Sequence, residues 1–405
     1  MTRTSATWRT PTVVIAVGCL TALLLFGVRA GFGLFLEPMS RELGWGREVF
    51  AFAIALQNLL WGLGQPFAAA LADRYGSGRV LAVGGLLYGV GIMLMAQSTT
   101  PLLFNLSAGV MVGLGLAGAS FAVVLAAISR RVPEDKRSWA LGVGTAAGSL
   151  GQFLMVPLGQ SFLSAYGWSM ALVLMGICAL LIVPMAGALA GKADSAGQGR
   201  EQSLAEALRE AGGHPGYRYL TGGFFVCGFH VAFIQTHLPA YLADVGIRPG
   251  IAAWALALVG LFNVVGSYTS GVLGGRFSKK YLLSLLYLVR AAVIAVFVLV
   301  PVSEVTVLVF AAAMGLLWLS TVPLTSGLVA QIFGPRYMAT LFGIVFFSHQ
   351  VGAFLGVWLG GYLFDVTGSY QMVWWVSVAL GVLASLLQWP IDERRLPRLT
   401  EAEAV

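Results

Sequence analysis

The stretch Val28–Pro38, VRAGFGLFLEP, places a charged residue inside an apolar segment of the chain. It belongs to the run Thr12–Leu36, which is long enough to cross a bilayer as a helix. Arg29 lies inside that run, and its nearest acidic neighbour in the sequence is Glu37, about 12 Å away along an α-helix. A guanidinium keeps its proton at any relevant pH, and holding it at this depth costs about 3 kcal/mol. We therefore expect Arg29 to face a water-filled path or a partner.

The composition of the whole chain is that of a polytopic helical membrane protein. The 405 residues are 58% hydrophobic and only 10% charged, with a mean hydropathy of +0.85. The apolar runs are long and continuous, so a barrel of alternating strands is excluded. The first run is about 25 residues long and lacks a small-residue cleavage site, so it is predicted to remain as a span. Cys19, Cys178 and Cys227 fall in apolar runs, and we interpret them as core residues rather than disulfides or metal ligands.

Short polar, glycine-rich or charged turns divide the chain into twelve apolar runs, each near the length that a membrane helix needs. We therefore predict an all-α membrane protein with twelve transmembrane helices. The predicted spans are Thr12–Leu36, Val49–Leu71, Val80–Gln97, Leu102–Ile128, Ala140–Leu163, Trp168–Ala190, Tyr219–Leu242, Ala252–Leu273, Tyr281–Val300, Val305–Gln331, Met338–Leu363 and Val373–Trp389.

Positively charged residues are distributed unevenly between the predicted loops. With the amino terminus assigned to the cytoplasm, 19 of the 24 Lys and Arg residues fall in cytoplasmic loops or tails, whereas Arg41, Arg47 and Arg248 fall on the opposite face. This division follows the positive-inside rule. It predicts a multi-pass protein of the cell inner membrane with both termini in the cytoplasm. The net charge of +7 therefore reflects topology, and no nucleic-acid partner is expected.

The longest break between spans divides the chain into two halves of six spans each. Residues 1–190 form the predicted N-terminal half, 191–216 a polar cytoplasmic linker with the amphipathic stretch Ser203–Glu210, and 217–405 the C-terminal half. Two such halves are typical of a transporter with parallel repeats, in which the substrate site lies between the halves near the bilayer midplane.

The loop after the second span, Ala69–Val80 (AALADRYGSGRV), resembles the loop signature of the major facilitator superfamily. The resemblance implies that Asp73, Arg74 and Arg79 form a charge-paired latch that gates the cytoplasmic side. Charges that only orient the span are the alternative. The corresponding stretch of the second half, Gly271–Lys280, lacks the aspartate, which implies a weaker second latch.

Two further stretches are similar to the monocarboxylate transporter branch of that superfamily. Arg137–Gln152 (RSWALGVGTAAGSLGQ) resembles its fifth-span signature, and Gly361–Trp374 (GYLFDVTGSYQMVW) its turn after span eleven. That branch also carries a basic residue in span one, where Arg29 lies. The sequence departs from the branch in span eight, where an acidic–basic pair is replaced by uncharged residues. The overall resemblance is to bacterial, largely uncharacterised members.

The predicted spans bury two cations and no anion at their centres. Arg29 and Arg290 are the cations, and all seventeen acidic residues fall at span ends, in loops or in tails. An exporter of cationic drugs usually needs a membrane carboxylate, so the pattern favours an anionic substrate, with Arg29 forming a charge-assisted bond to its carboxylate. Arg290 lies in the ninth span, which the resemblance makes peripheral. Arg290 is therefore predicted either to contact substrate or to have a structural role.

Histidines and uncharged polar residues complete the predicted site. His230 lies in mid-span, and histidine changes its charge between pH 5 and 8, so we predict that His230 contacts substrate and carries the coupling proton. A neutral histidine bonded across helices is the alternative. His349 and Gln350 are predicted to bridge helices. The remaining predicted substrate contacts are Asn58, Gln152, Asn263 and Tyr268.

The sequence therefore predicts a secondary transporter that works by alternating access, and not an enzyme. We expect a small organic anion as substrate, with a monocarboxylate favoured, and a proton as co-substrate. No phosphate-binding GxxxxGK loop and no catalytic constellation occur, so no cofactor is expected. We expect a monomer in the lipid bilayer. Efflux of a drug or larger amphipathic metabolite, through a wide, aromatic-lined cavity, is the alternative function.

Overall fold

The structure is a computed structural model that describes residues 8–132, 134–191, 203–334 and 337–397, without the side chains of 134–138. The regular structure of these residues is helical. The first part of the chain, here called the N-half, contains α1 (Pro11–Ala30), the 3₁₀ turn Phe32–Phe35, α2 (Leu36–Leu43), α3 (Arg47–Tyr75), α4 (Ser77–Met95), α5 (Pro101–Phe104), the π-helical segment Asn105–Met111, α6 (Val112–Gly118), α7 (Phe121–Arg131), α8 (Glu134–Leu180) and α9 (Ile182–Met185).

A short helix, α10 (Leu204–Gly213), precedes the second part of the chain, here called the C-half. Its Ser203 side chain and Glu206 form a reciprocal capping box, which explains why the helix begins at this point. The C-half contains α11 (Pro215–Asp244), α12 (Pro249–Gly274), α13 (Lys279–Leu299), α14 (Glu304–Leu317), α15 (Thr321–Phe333), α16 (Met338–Thr367) and α17 (Gln371–Gln388).

The prediction of an all-α protein with twelve membrane helices is confirmed. Among the described residues, ten helical segments are long and apolar enough to cross a membrane. One of them, Trp139–Met185, has 47 residues and bends at Gly167, where φ is 75°, so it supplies two crossings. Helix α3 supplies another, since its 29 residues run the length of the bundle although Gln57 and Asn58 lower its hydropathy.

Helix α1 ends at Ala30, directly after Arg29. A 3₁₀ turn follows it, and there Gly33 lies directly against the backbone carbonyls of Gln235 and Thr236 in α11. A Cβ atom at Gly33 would overlap those oxygens, so the glycine permits the close approach of the two helices. Arg29 is thereby placed in the last turn of α1, where the carbonyl end of the helix favours a cation.

The two halves contact each other mainly near one end of the bundle, which we call the Arg47 end. There α3 packs on α16, with Gly361 against Ala51 and Gly62 against Gln350. The opposite end, where α10 lies, is called the linker end. Towards it, α7 and α9 of the N-half and α15 of the C-half pack on helices of their own half. The N-half and C-half therefore meet at the Arg47 end and separate towards the linker end.

Candidate functional site

The Arg29 guanidinium bonds to both halves of the protein. Its Nη2 atom donates to Oδ1 of Asn58, a residue of α3, at 2.5 Å. Its Nη1 atom donates to Oε1 of Gln235, a residue of α11, at 3.2 Å. Asn58 is oriented by its own amide nitrogen, which donates to the Ile54 carbonyl at 2.8 Å. That bond turns the carbonyl oxygen of Asn58 towards the cation.

Only neutral groups contact the Arg29 guanidinium among the described residues. Within the described residues, no carboxylate oxygen lies within 4.0 Å of its nitrogen atoms. Its Cζ atom lies 4.8 Å from the centroid of the Trp61 ring, a distance at which the ring face attracts a cation. Its Nε atom is buried and has no acceptor. The guanidinium therefore keeps a free donor and an uncompensated positive charge between the two halves.

An aromatic wall extends from Arg29 across the interface of the halves. The Trp61 ring meets Phe26 of α1 at 6.4 Å and Phe346 of α16 at 5.7 Å, both edge to face. Phe346 in turn stacks on His349, with ring centroids 5.7 Å apart. The indole nitrogen of Trp61 is buried without an acceptor. The wall thus offers apolar surface and one further unpaired donor next to the cation.

Gln152 and Asn263 bind the two halves together at a second contact, between α8 and α12. The Gln152 amide donates to the Leu256 carbonyl at 2.8 Å, and the Asn263 amide donates to Oγ of Ser149 at 2.9 Å. Asn263 also accepts the backbone N–H of Leu319 at 3.0 Å. Both predicted residues therefore lie at the interface of the halves, and the amide nitrogen of each donates to a protein group.

The structure places Arg290 inside the C-half, apart from the Arg29 group. It is 0% exposed, and its Nη2 atom donates to the carbonyls of Leu317 and Trp318, the latter at 2.8 Å. These carbonyls lie where α14 ends and α15 has not yet begun, so they lack helical partners. Arg290 therefore donates to the carbonyls of the helix break, while its Nε and Nη1 atoms have no acceptor. Whether it also contacts substrate stays a prediction.

Two other predicted contacts also lie apart from Arg29. His230 is buried, and its Nε2 atom lies 2.7 Å from the Ser377 carbonyl of α17, within the C-half. Tyr268 is 74% exposed on α12, on the same helical stripe as the exposed Val265 and Val272. Of the predicted substrate contacts, the structure therefore brings Arg29 and Asn58 into direct contact, with Gln152 and Asn263 at the same interface.

Sequence reasoning missed the partners that the C-half supplies. Gln235 was not among the predicted residues, although a glutamine within the apolar run of span seven was a usable signal. Trp61 and Phe346 could not be distinguished from the many lipid-facing aromatics. His349 was predicted to bridge helices, and its ring does lie between Phe346 and Phe224, 5.0 Å from the latter.

A charged cluster closes the Arg47 end, and sequence analysis did not predict it. Arg47 forms a two-pronged ion pair with Asp244 of α11, at 2.6 and 2.7 Å. Asp365 of α16 accepts the backbone N–H groups of Arg47 and Glu48, at 2.9 and 2.8 Å, and so caps α3. The Arg47 guanidinium also lies 3.8 Å from the centroid of the Phe364 ring. We call this cluster the Arg47 clamp.

The predicted latch residues lie at the opposite end and are exposed. Asp73, Arg74 and Arg79 all lie on the surface at the linker end, and the Arg74 guanidinium rests 5.2 Å from the ring of its neighbour Tyr75. Their proposed pairing between the halves stays a prediction. The halves are separated at this end, so a latch would form only after they approach each other.

The fold and the half-buried cation between the halves define a multi-pass helical membrane carrier. The sequence profile of the Major Facilitator Superfamily matches residues 18–245 and 220–404. The chain therefore belongs to the Major Facilitator Superfamily, and it is a membrane transporter rather than an enzyme.

Individual relatives agree with that membership. The chain is 28% identical to monocarboxylate transporter 13 of Rattus norvegicus, over 92% of this chain and 88% of the relative. It is 24% identical to the uncharacterized MFS-type transporter YcxA of Bacillus subtilis, over 93% of this chain and 92% of that relative. Among solved structures, it resembles a bacterial homologue of the human lysosomal transporter Spinster, in an inward-facing and occupied conformation, with a TM-score of 0.77 at 16% identity and 95% and 98% coverage. A D-xylose-proton symporter gives a TM-score of 0.76, also at 16% identity, with 95% and 99% coverage.

Proposed function

We propose that the protein is a secondary active transporter of a small organic anion, a monocarboxylate, with a proton as co-substrate. The observation that carries the proposal is the Arg29 guanidinium, which has a free Nε donor and no described carboxylate partner. A substrate carboxylate placed there would gain a charge-assisted bond in a site of low dielectric. The name of the relative at 28% identity supports the same chemistry.

Arg29 gives a physical route from substrate binding to movement of the halves. It already bonds Asn58 in the N-half and Gln235 in the C-half. An anion bound to it would therefore attract groups of both halves and favour their approach at the linker end, where Asp73, Arg74 and Arg79 lie. Alternating access then consists of opening the Arg47 clamp while the linker end closes.

We propose that a histidine carries the coupled proton. His230 is the residue proposed from the sequence, and its Nδ1 atom is buried without a partner. His349, within the aromatic wall, is a second histidine to compare with it. Removing the carrier should abolish the stimulation of transport by an inward proton gradient and leave counterflow of the anion intact. Replacing each histidine by glutamine in turn identifies the carrier.

The remaining assignments follow the loop charges and the fold. We propose a monomeric carrier in the cell inner membrane with both termini in the cytoplasm. Its N-terminal half comprises residues 1–190, its cytoplasmic linker 191–216 and its C-terminal half 217–405. The concentration of Lys and Arg at the linker end supports the orientation. In that orientation the described conformation opens towards the cytoplasm.

A second candidate is efflux of a drug or larger amphipathic metabolite. The wall formed by Phe26, Trp61 and Phe346 favours it, because aromatic surface beside a charge suits an amphipathic ligand. A thermal-shift screen of the purified protein separates the two functions, since a ligand of the folded state raises the melting temperature. Short monocarboxylates should raise it if the first proposal holds. Stabilisation only by bulky amphipathic compounds, with resistance on overexpression, would support efflux.

A further inference from the structure

A cavity of about 870 Å³ lies at the linker end of the C-half, away from the Arg29 site. The start of α13, the end of α15 and the segment that follows α17 form its walls. That segment is fixed in place, because the Gln331 amide donates to the Glu393 carbonyl at 2.8 Å and the Leu396 N–H donates to the Ile332 carbonyl at 3.1 Å. Four cationic side chains line the cavity: Lys279, Lys280, Arg394 and Arg395.

The carboxylates in the cavity are already bonded to other groups. Asp392 pairs with Arg394 at 2.6 Å, and this pairing lowers the pKa of Asp392 to about 2, so the pair persists at neutral pH. An Oε1 atom of Glu393 accepts the backbone N–H of Lys280 at 2.7 Å and caps α13. Lys280 also attracts the Asp392 carboxylate, as a smaller cause of the lowered pKa of Asp392, but neither acid lies within 4.0 Å of a lysine ammonium.

The two lysines therefore keep positive charge for a ligand. Lys279 Nζ donates one bond, at 2.7 Å, to the neutral Oε1 of Gln331. Lys280 Nζ lies 5.0 Å from the centroid of the Tyr281 ring. Within the described chain, no carboxylate oxygen lies within 4.0 Å of either ammonium. An ammonium carries three donors, so most of this capacity is unused.

The surroundings of the cavity are those of a membrane–water interface. Tyr281 and Trp389 pack edge to face at 5.0 Å and are both exposed, as aromatic residues are at the level of lipid headgroups. From Tyr281, the exposed residues Leu285 and Leu288 continue along one stripe of α13. A ligand with its phosphate in the cavity could therefore lay an acyl chain along that stripe.

We propose that this cavity binds the phosphate group of an anionic phospholipid, with Lys279 and Lys280 as its main contacts. Basic pockets between membrane helices on the positively charged side suit such headgroups. Binding would join α13, α15 and the segment after α17. Free phosphate shares the chemistry of the headgroup but has no acyl chain to place along α13.

The test measures the melting temperature of the full-length protein in detergent as phosphatidylglycerol, phosphatidylcholine or inorganic phosphate is added. We expect phosphatidylglycerol to stabilise the protein and phosphatidylcholine to have little effect. The double variant Lys279→Gln/Lys280→Gln should require about tenfold more phosphatidylglycerol or more, given the attraction that each lysine exerts on an anionic headgroup. The matched control is Arg131→Gln/Arg209→Gln, which removes two exposed charges at the same end.

The outcomes separate the alternatives. An equal loss of response in the double variant and the control would overturn the proposal, because it would show a general surface attraction. A lysine-dependent response to inorganic phosphate as strong as that to the lipid would overturn the assignment to a lipid. Should the double variant fail to fold, the single variant Lys280→Gln replaces it. The backbone N–H of residue 280 can still donate to Glu393, so the cap of α13 is kept in this variant. A response identical to that of the unaltered protein would count against the site.

Discussion

The Nη1 atom of Arg29 in α1 donates a hydrogen bond to Oε1 of Gln235 in α11, at 3.2 Å across the interface of the two halves. The acceptor is neutral, so the bond holds the guanidinium without cancelling its charge. A carboxylate in the same place would cancel it. A glutamine at this position therefore leaves the charge of Arg29 available to the proposed anionic substrate.

Replacing Gln235 by glutamate should lower anion transport about a hundredfold while the protein still folds. A glutamate there would form an ion pair with Arg29 and compete with the substrate for it. If that ion pair is worth about 3 kcal/mol, kcat/KM should fall roughly a hundredfold. Gln235→Leu should cost less, about tenfold, because it removes one hydrogen bond to a charged group. Uptake of labelled lactate into liposomes measures both. Gln160→Glu, on the surface of α8, is the control. Equal effects of glutamate and leucine would mean that charge is not the cause.

Replacing Trp61 by alanine should raise the KM for the anion by roughly 2- to 30-fold, because the ring contributes about 0.5–2 kcal/mol to holding the cation. Trp61→Phe keeps the ring face and should stay within about threefold of the unaltered protein. Trp389→Phe, at an exposed tryptophan, serves as the control. Full activity of Trp61→Ala in liposomes would remove the aromatic wall from the binding site.

Replacing Arg290 by methionine should lower the melting temperature rather than the affinity for substrate. The Leu317 and Trp318 carbonyls would lose their donor, and each unsatisfied buried group costs about 1–3 kcal/mol. Arg290→Lys should recover part of the loss. Thermal unfolding in detergent and the KM of the folded fraction separate the two readouts. A normal melting temperature with a raised KM would instead assign Arg290 to substrate binding.

Replacing Arg47 by glutamine should open the Arg47 end more often. It removes the ion pair with Asp244 and the contact with Phe364, which together hold α3 against α11 and α16. A loss of about 1–2 kcal/mol would raise the open population roughly 5- to 30-fold. Labelling of Thr236→Cys by an impermeant maleimide, with the three native cysteines replaced, measures it. Arg248→Gln breaks an exposed pair with Glu304 and is the control. No change in labelling in Arg47→Gln would exclude the clamp as a gate.

The helices and their number followed from the sequence because each span is a continuous apolar run, a local signal. Arg29 was equally visible, since a guanidinium within such a run needs a reason to be there. The pairs Arg47–Asp244 and Arg47–Asp365 were not visible, because their members are 197 and 318 residues apart in the sequence. Gln235 was missed because a polar residue in a membrane helix can either hydrogen-bond to a neighbouring helix or contact substrate, and the sequence does not distinguish the two. The sequence placed Arg290 in span nine. Its bonds to Leu317 and Trp318 were not predictable, because they depend on where span ten is interrupted between α14 and α15.

The central claim is that the uncompensated charge of Arg29 binds the anionic substrate, and Arg29→Gln tests it most directly. Uptake of labelled lactate into liposomes should fall below detection in Arg29→Gln, while Arg41→Gln, at an exposed arginine, transports normally. The Arg29 variant should keep the melting temperature of the unaltered protein within a few degrees. Lactate uptake by folded Arg29→Gln at a rate near that of the unaltered protein would contradict the account.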